Sequence, residues 1–163
     1  MKKHDLKDDV GYWLNRLRMQ VHQGFEARLA VYDVTIAQWC ILLTLYNEEA
    51  ASITELSKFI EVDKASISRV VDRLLNKGLV THQQGADRRS GHIQLTSGGR
   101  ELVPLLMQAA EDNEQQFFGH LAPEETEQLR QLFYKLFLNL PSIQMSGWLL
   151  NTTENFKDET RTD

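Results

Sequence analysis

The chain has 163 residues, of which 42% are hydrophobic and 25% charged, with only three prolines and nine glycines. These values exclude a disordered or fibrous chain, and the length suits one domain with a sizeable core rather than two domains. The net charge of −5 is unevenly distributed, because between Glu55 and Arg100 eight basic residues outnumber five acidic ones and give this segment a charge of +3. A basic segment in an acidic protein is a modest indication of a surface that contacts phosphates.

The N-terminal stretch MKKHDLKDDV carries charges with no apolar run behind them, so no secretory signal peptide is expected. The most apolar stretch, Ile36–Tyr46, is too short to span a membrane. The single cysteine, Cys40, cannot form an internal disulfide, which agrees with a reducing compartment. A cytoplasmic protein without a membrane partner is therefore predicted.

Helical periodicity marks the first part of the chain. Between residues 10 and 29 apolar side chains recur every three or four positions, which predicts a first helix with one apolar face. Thr35 precedes a second periodic run, Ile36–Tyr46, and is expected to cap that helix.

Two short helices joined by a tight link follow. Ser52 or Thr54 is expected to open a third helix before the link EVDK. Asp63 is placed to cap a fourth helix that ends at Asn76, and Gly78 suits its C-terminal cap. This order predicts a helix-turn-helix.

Residues 79–84 and 92–95 predict two short strands around a polar turn, with Ile93 and Leu95 on one face of the second strand. Thr96 can cap a fifth helix, and Pro123 suits the first turn of a sixth. The apolar stripes expected on these two helices are Leu102, Leu105, Leu106 and Ala109, followed by Leu129, Leu132, Phe133, Leu136, Phe137 and Leu140.

The fourth helix separates into two faces when it is projected at about 100° per residue. The face expected to be buried carries Ile67, Val70, Val71, Leu74 and Leu75, and the opposite face carries Ala65, Arg69, Asp72 and Asn76, flanked by Ser66, Ser68 and Arg73. Small residues would let this outer face approach a groove floor, and arginine offers paired donors to guanine edges or phosphates. Any amphipathic helix also has a polar outer face in water, so the helix alone leaves both interpretations open.

Two adjacent arginines, Arg88 and Arg89, lie at the tip of the predicted hairpin. Hydrophobic burial gains nothing from them, and their mutual repulsion costs little only when water screens it or an anion binds. A thin hairpin tip can enter the minor groove of DNA, where the negative potential attracts an inserted arginine. The sequence therefore predicts a mainly α fold with a small β-wing, a winged helix-turn-helix.

The stretch LSKFIEVDKASISRVVDRLLNKGLV, followed by DRRSGHIQLTSGG, resembles the multiple antibiotic resistance regulator (MarR) family of bacterial repressors. The resemblance implies an obligate homodimer of winged lobes, with the fourth helix in the major groove and Arg89 in the minor groove. It also implies that Asp87 orients the wing and that Arg88 is a second contact. The expected DNA-binding residues are Lys64, Ala65, Ser66, Ser68, Arg69, Arg73, Asp87, Arg88 and Arg89.

The predicted organisation is a single MarR-like domain over residues 1–163. Residues 35–100 would form the winged helix-turn-helix lobe, residues 6–32 and 97–140 a helical dimerisation region, and residues 141–163 a C-terminal tail. The first, fifth and sixth helices carry more apolar face than one small lobe can cover, and such faces are buried in bundles or across a twofold interface.

Four aromatic residues are candidates for lining a pocket between the dimerisation helices and the DNA-binding lobe: Tyr12, Trp13, Phe25 and Trp39. The family resemblance implies a small aromatic or lipophilic effector there, although aromatic residues at helical spacing more often belong to the core. Cys40 is expected to pack in the core rather than to sense peroxide. The five histidines lack metal-ligand spacing and no set of catalytic groups is visible, so neither an enzyme, a metal nor a cofactor is predicted.

The sequence thus predicts a sequence-specific regulator of transcription that binds double-stranded DNA. It is expected to be a ligand-responsive repressor acting as a homodimer on a pseudo-palindromic operator. The alternative is a winged-helix module that binds an acidic protein surface and no DNA.

Overall fold

A computed structural model describes residues 5–82 and 91–139 of the chain. These residues form a short 3-10 turn, Leu6–Asp8, six helices and two strands. The elements are α1 (Val10–Ala30), α2 (Ile36–Tyr46), α3 (Ile53–Ile60), α4 (Lys64–Asn76), β1 (Val80–His82), β2 (Ile93–Leu95), α5 (Ser97–Phe118) and α6 (Pro123–Leu138). This order confirms the mainly α fold with a small antiparallel wing. The predicted hairpin tip, Leu140 and the tail at 141–163 lie outside the described residues.

The helices begin at the positions that their capping residues predicted from the sequence. The side chains of Thr35 and Ser52 cap α2 and α3, and each takes part in a capping box. The Thr96 side chain accepts from a backbone N–H in the first turn of α5, and Pro123 is the first residue of α6. Local chemistry therefore sets these boundaries, because each cap satisfies N–H groups that the helix itself leaves unpaired.

The hydrophobic core surrounds α2, which packs against α4, α5 and β2. An apolar helix of this kind is stable only when protein covers most of its sides. Helices α1, α3, α4 and α5 and strand β2 contribute residues that are almost fully buried: Leu29, Leu56, Leu74, Ile93, Val103 and Leu106. Cys40 is partly buried against this core, as its apolar surroundings predicted.

One predicted stripe is wrong in detail. Leu105 was expected on the buried face of α5, but its side chain is 50% exposed. The face that packs against α1 and α2 runs instead through Val103, Leu106, Ala109 and Asn113. The stretch LVPLLMQAA is apolar on more than one side of the helix, so periodicity could not identify the inner side.

Apolar surface remains uncovered on α1 and α6. Trp13, Leu14 and Leu17 of α1 are all at least 40% exposed. None of the described residues of α6 is buried, and its exposed apolar residues include Leu132 and Leu136. Exposed apolar patches of this kind mark interaction surfaces in soluble proteins.

Candidate nucleic-acid interface

The turn between α3 and α4 is held by short-range hydrogen bonds. Glu61 ends α3 in the left-handed region, with a φ of 61°. The hydroxyl of Ser57 donates to the carbonyl of Val62 at 2.7 Å, which closes the turn. Asp63 then starts α4 by accepting from the backbone N–H of Ser66 at 2.9 Å. These contacts determine the angle at which α4 leaves α3.

The carboxylate of Asp63 is ionised more readily than an ordinary aspartate. Its pKa is lowered because the Ser66 hydroxyl and backbone N–H groups donate to it, and Arg69 favours the charged form further. A negative charge at this end of a helix also interacts favourably with the helix dipole. The cap of α4 is therefore fully formed at neutral pH.

The structure confirms the buried face and the outer face predicted for α4. Ile67, Val71 and Leu74 are buried, whereas Val70 and Leu75 are partly buried against the same core. All four residues predicted for the centre of the outer face are exposed: Ala65, Arg69, Asp72 and Asn76. The helix thus presents its polar side outward over its whole length.

The residues predicted to bind DNA on α4 lie on or beside this outer face. Lys64, Arg69 and Arg73 are exposed, so three cationic side chains are available to a partner. Ser66 and Ser68 are half-buried at its margins. Asp87, Arg88 and Arg89 lie outside the described residues, and their contribution stays a prediction.

The base of the wing is attached to the helix-turn-helix at two points. The backbone N–H of Ile93 donates to the carbonyl of Ala51 at 2.6 Å, just before α3. The hydroxyl of Thr96 donates to the carbonyl of Gly78 at 2.7 Å, just after α4. Gly78 has a φ of +68°, which glycine adopts without strain, and this reverses the chain into β1. The wing and α4 therefore start from one shared framework.

The strands pair in antiparallel register, with Val80 opposite Leu95 and His82 opposite Ile93. Ile93 and Leu95 are buried and Gln94 is exposed, as their alternation predicted. Gly99 packs so closely on the carbonyl of Leu79 that a Cβ atom would overlap it. This contact was not visible in the sequence pattern.

The four aromatic residues proposed for a pocket separate into two pairs. The rings of Phe25 and Trp39 meet edge to face at 6.2 Å between centroids. Those of Tyr12 and Trp13 meet at 5.5 Å near the start of α1, where the Trp13 indole donates to the carbonyl of Lys7. Of the four, Phe25 alone lines the cavity described next, because Trp39 is buried in the core and Tyr12 and Trp13 lie elsewhere.

That cavity measures about 370 Å³ and lies between α1, α5, α6 and the start of α2. Its α1 wall is formed by Leu14, Leu17, Arg18, Val21, His22 and Phe25. The opposite wall is formed by Ile36, Asn113, Phe118 and Phe133. Sequence periodicity identified the apolar part of the α1 wall. It could not identify the opposite wall, because Phe133 is far from Leu14 in the chain.

In the part of the chain that is described, no group of three or more histidine, cysteine, aspartate or glutamate side chains could hold a metal ion. Within the same ranges, no helix combines the length and the apolar character needed to cross a bilayer.

The helix-turn-helix, its two-stranded wing and the outward polar face of α4 define a winged helix-turn-helix transcriptional regulator. Residues 34–90, which include α2, α3, α4 and β1, match the model of the MarR family. Over these residues the chain is similar to the MarR family.

Known proteins of this type resemble the chain over most of its length. The repressor IacR of Pseudomonas putida is 25% identical over 133 residues, which cover 81% of this chain and 80% of that protein. The structure of BpsR from Bordetella bronchiseptica is 28% identical with a TM-score of 0.72, covering 83% of this chain and 99% of that one. Apo MarR from E. coli is 25% identical with a TM-score of 0.63, covering 78% and 96% respectively.

Proposed function

We propose that the outer face of α4 and the tip of the wing bind double-stranded DNA, and that the protein regulates transcription through this binding. The observation that carries the proposal is the exposed cationic face of a helix whose start is capped and whose opposite face is buried. A helix held in this way can enter the major groove without losing its own packing.

The residues of this face have different chemical roles. Arg69 lies near the centre of the face and can donate two hydrogen bonds to a guanine edge. Lys64 and Arg73 lie farther to the sides, where phosphates flank the groove. Ala65 and Ser68 are small, so the helix can approach the bases closely. In the wing, Arg89 is assigned to the minor groove, Arg88 to a second contact and Asp87 to orienting the tip.

The functional unit is a homodimer. The exposed apolar faces of α1 and α6 cover one another across a twofold axis, with residues 6–32 and 97–140 as the dimerisation region and residues 35–100 as the DNA-binding lobe. A twofold dimer requires a pseudo-palindromic operator with half-sites about one helical turn apart, roughly 10 bp. Residues 141–163 are assigned to a C-terminal tail.

The protein acts as a ligand-responsive repressor. The similarity to IacR, a transcriptional repressor, and to BpsR, whose DNA binding is regulated by 6-hydroxynicotinic acid, supports this assignment. An effector releases DNA only if it binds more tightly to a state whose recognition helices are wrongly spaced. Because the protein must reach the chromosome, a cytoplasmic location is assigned as well.

Selection of bound duplexes from a random pool tests the function, together with measurement of the molecular mass in solution. We expect a dimer that enriches a pseudo-palindromic sequence and binds it at least about a thousandfold more tightly than random duplex. A protein that stays monomeric, or that binds no duplex at low salt, would contradict the proposal. Failure to bind duplex combined with capture of an acidic protein would instead support the interaction module.

A further inference from the structure

The C-terminal end of α4 is hydrogen-bonded to both places where the chain passes between the winged helix-turn-helix lobe and the long helices. The chain enters the lobe at the turn between α1 and α2, and it leaves at the junction of β2 and α5. Lys77, the residue after α4, contacts the turn at Asp33. The next two carbonyls, those of Gly78 and Leu79, accept from the hydroxyl and the backbone N–H of Thr96 at 2.7 and 3.1 Å.

The ammonium group of Lys77 meets three oxygen atoms at the turn between α1 and α2. It lies 2.9 Å from the carboxylate of Asp33, donates to the backbone carbonyl of Asp33, and lies 3.4 Å from Oε1 of Gln38. Gln38 is buried, and the backbone N–H of Asp33 donates to the carbonyl of Ala30 at 3.0 Å, so the acceptors are themselves fixed. An ammonium group has three donors, and here each has an acceptor. The Lys77 side chain is therefore held in one position.

Helices α1 and α4 lie wholly within the described residues and share almost no direct contact. Helix α1 packs mainly on α5, whereas α4 packs mainly on α3 and α2. The orientation of α4 relative to α1 is consequently transmitted by its packing on α2 and by the contacts of Lys77 with the turn.

A small rotation at this end of α4 becomes a large displacement at the other end. The helix has 13 residues, so at about 1.5 Å per residue its first turn lies about 20 Å from Lys77. A rotation of about 10° around Lys77 would move that first turn by about 3.5 Å, close to the rise of about 3.4 Å per base pair. Ala65 and Ser68, the small residues assigned to approach the bases, lie in the half of the helix that moves most.

We propose that Lys77 is a positioning residue that fixes the orientation of α4 and thereby determines which half-site spacing the dimer accepts. Lys77 acts through α4 and contacts no DNA itself. Without its ammonium group, α4 adopts a wider range of orientations, so both recognition helices can engage half-sites at neighbouring spacings. The inference rests on the proposed function, because spacing has a meaning only for a dimer that binds duplex.

A series of duplexes with altered spacing tests the proposal by fluorescence anisotropy on the full chain. The selected operator is compared with two duplexes in which one base pair is inserted or removed between the half-sites. The wild type should bind each altered duplex about tenfold or more weakly, because the second half-site is displaced by about 3.4 Å and also rotated about the duplex axis. In Lys77→Met this difference should fall to about threefold or less, with weaker binding to the selected operator.

Two controls separate positioning from charge and from stability. Lys77→Met should bind random duplex within about twofold of wild type, because the ammonium group is engaged by the turn and not by a phosphate. Ile41→Val removes one carbon atom from the core, where Ile41 is 1% exposed. This second variant should be less stable than wild type and keep the wild-type preference for one spacing.

The outcomes distinguish this inference from the proposed function. A Lys77→Met protein that keeps the wild-type preference would overturn the inference, and so would an equal loss of preference in Ile41→Val. Thermal unfolding shows whether each variant is folded; if Lys77→Met is not, Lys77→Gln replaces it with the same expectations. A wild type that binds duplex at every spacing equally refutes only the positioning role. A wild type that binds no duplex refutes the proposed function, and the positioning role falls with it.

Discussion

The ammonium group of Lys77 joins the end of α4 to the turn that follows α1. Its nitrogen lies 2.9 Å from the carboxylate of Asp33, donates to the backbone carbonyl of the same residue, and lies 3.4 Å from Oε1 of Gln38. Gln38 also accepts from the backbone N–H of Thr35 at the start of α2. The end of α4 is thereby tied to the junction between α1 and α2.

Replacing Lys77 with methionine should lower the free energy of unfolding by about 1 kcal/mol, because the carbonyl of Asp33 loses its donor. Asp33→Asn is the matched control. Asp33 is 92% exposed, so its charge adds little, and asparagine also tolerates the φ of 55° found there. Urea denaturation should therefore place Asp33→Asn within about 0.5 kcal/mol of wild type. Equal losses in the two variants would show that the ion pair, and not the backbone contact, holds this junction.

The cap of α4 predicts a dependence of stability on pH. The pKa of Asp63 is lower in the folded protein than in the unfolded chain, so its ionised form stabilises the fold above the unfolded pKa, about 3.9. That contribution disappears as the pH falls through the folded pKa. Asp63→Asn keeps a hydrogen-bond acceptor without a charge that titrates. The difference in melting temperature between wild type and Asp63→Asn should therefore favour wild type at pH 7 and shrink below pH 4; a constant difference would contradict this.

Two neighbouring glycines at the start of α5 should respond in opposite ways to alanine. In Gly99→Ala the new methyl group would overlap the carbonyl of Leu79, so β1 or α5 must shift, at a cost of about 1 to 3 kcal/mol. In Gly98→Ala the nearest atom, Oγ1 of Thr96, is 3.9 Å away, and the variant should gain up to about 1 kcal/mol from helix propensity. Urea denaturation of both variants checks the contrast. A Gly99→Ala protein as stable as wild type would mean that β1 or α5 shifts at almost no cost in free energy.

The parts of the fold that depend on local chemistry were predictable from the sequence. Asp63 and Thr96 identify their helix starts because a capping side chain bonds to N–H groups within three residues of itself. The buried face of α4 was correct because Ile67, Val71 and Leu74 lie on one side of a helix whose other side is polar.

The parts that depend on contacts distant in the sequence were not predictable. Lys77 and Asp33 are 44 positions apart, and Asn113 meets Val21 across 92 positions. Nothing in either local pattern indicates its partner, since periodicity reports which face is buried and not what covers it. The same limitation explains Tyr12, whose helical spacing suggested the pocket although the structure places its ring elsewhere.

The wing arginines should contribute unequally to operator binding. Arg89→Ala is expected to weaken binding to the operator by about 1 to 3 kcal/mol, because the resemblance to the family places this side chain in the minor groove. Arg88→Ala removes the same charge from the adjacent position and should have a smaller effect. Fluorescence anisotropy with the selected operator measures both. Equal losses would mean that the tip contributes charge alone and makes no specific contact.

Arg73 should contribute to DNA binding through phosphates. It is exposed at the side of the outer face of α4, so Arg73→Ala should weaken binding to specific and random duplexes alike. Loss of one phosphate contact also lowers the slope of log K against log salt concentration by about one. Arg130→Ala is the control, because it removes the same charge from an exposed side chain on α6, away from α4. The guanidinium of Arg130 lies 3.9 Å from the carboxylate of Glu127. Anisotropy over a salt series should give a reduced slope for Arg73→Ala and an unchanged slope for Arg130→Ala; the wild-type slope in both variants would exclude Arg73 from the interface.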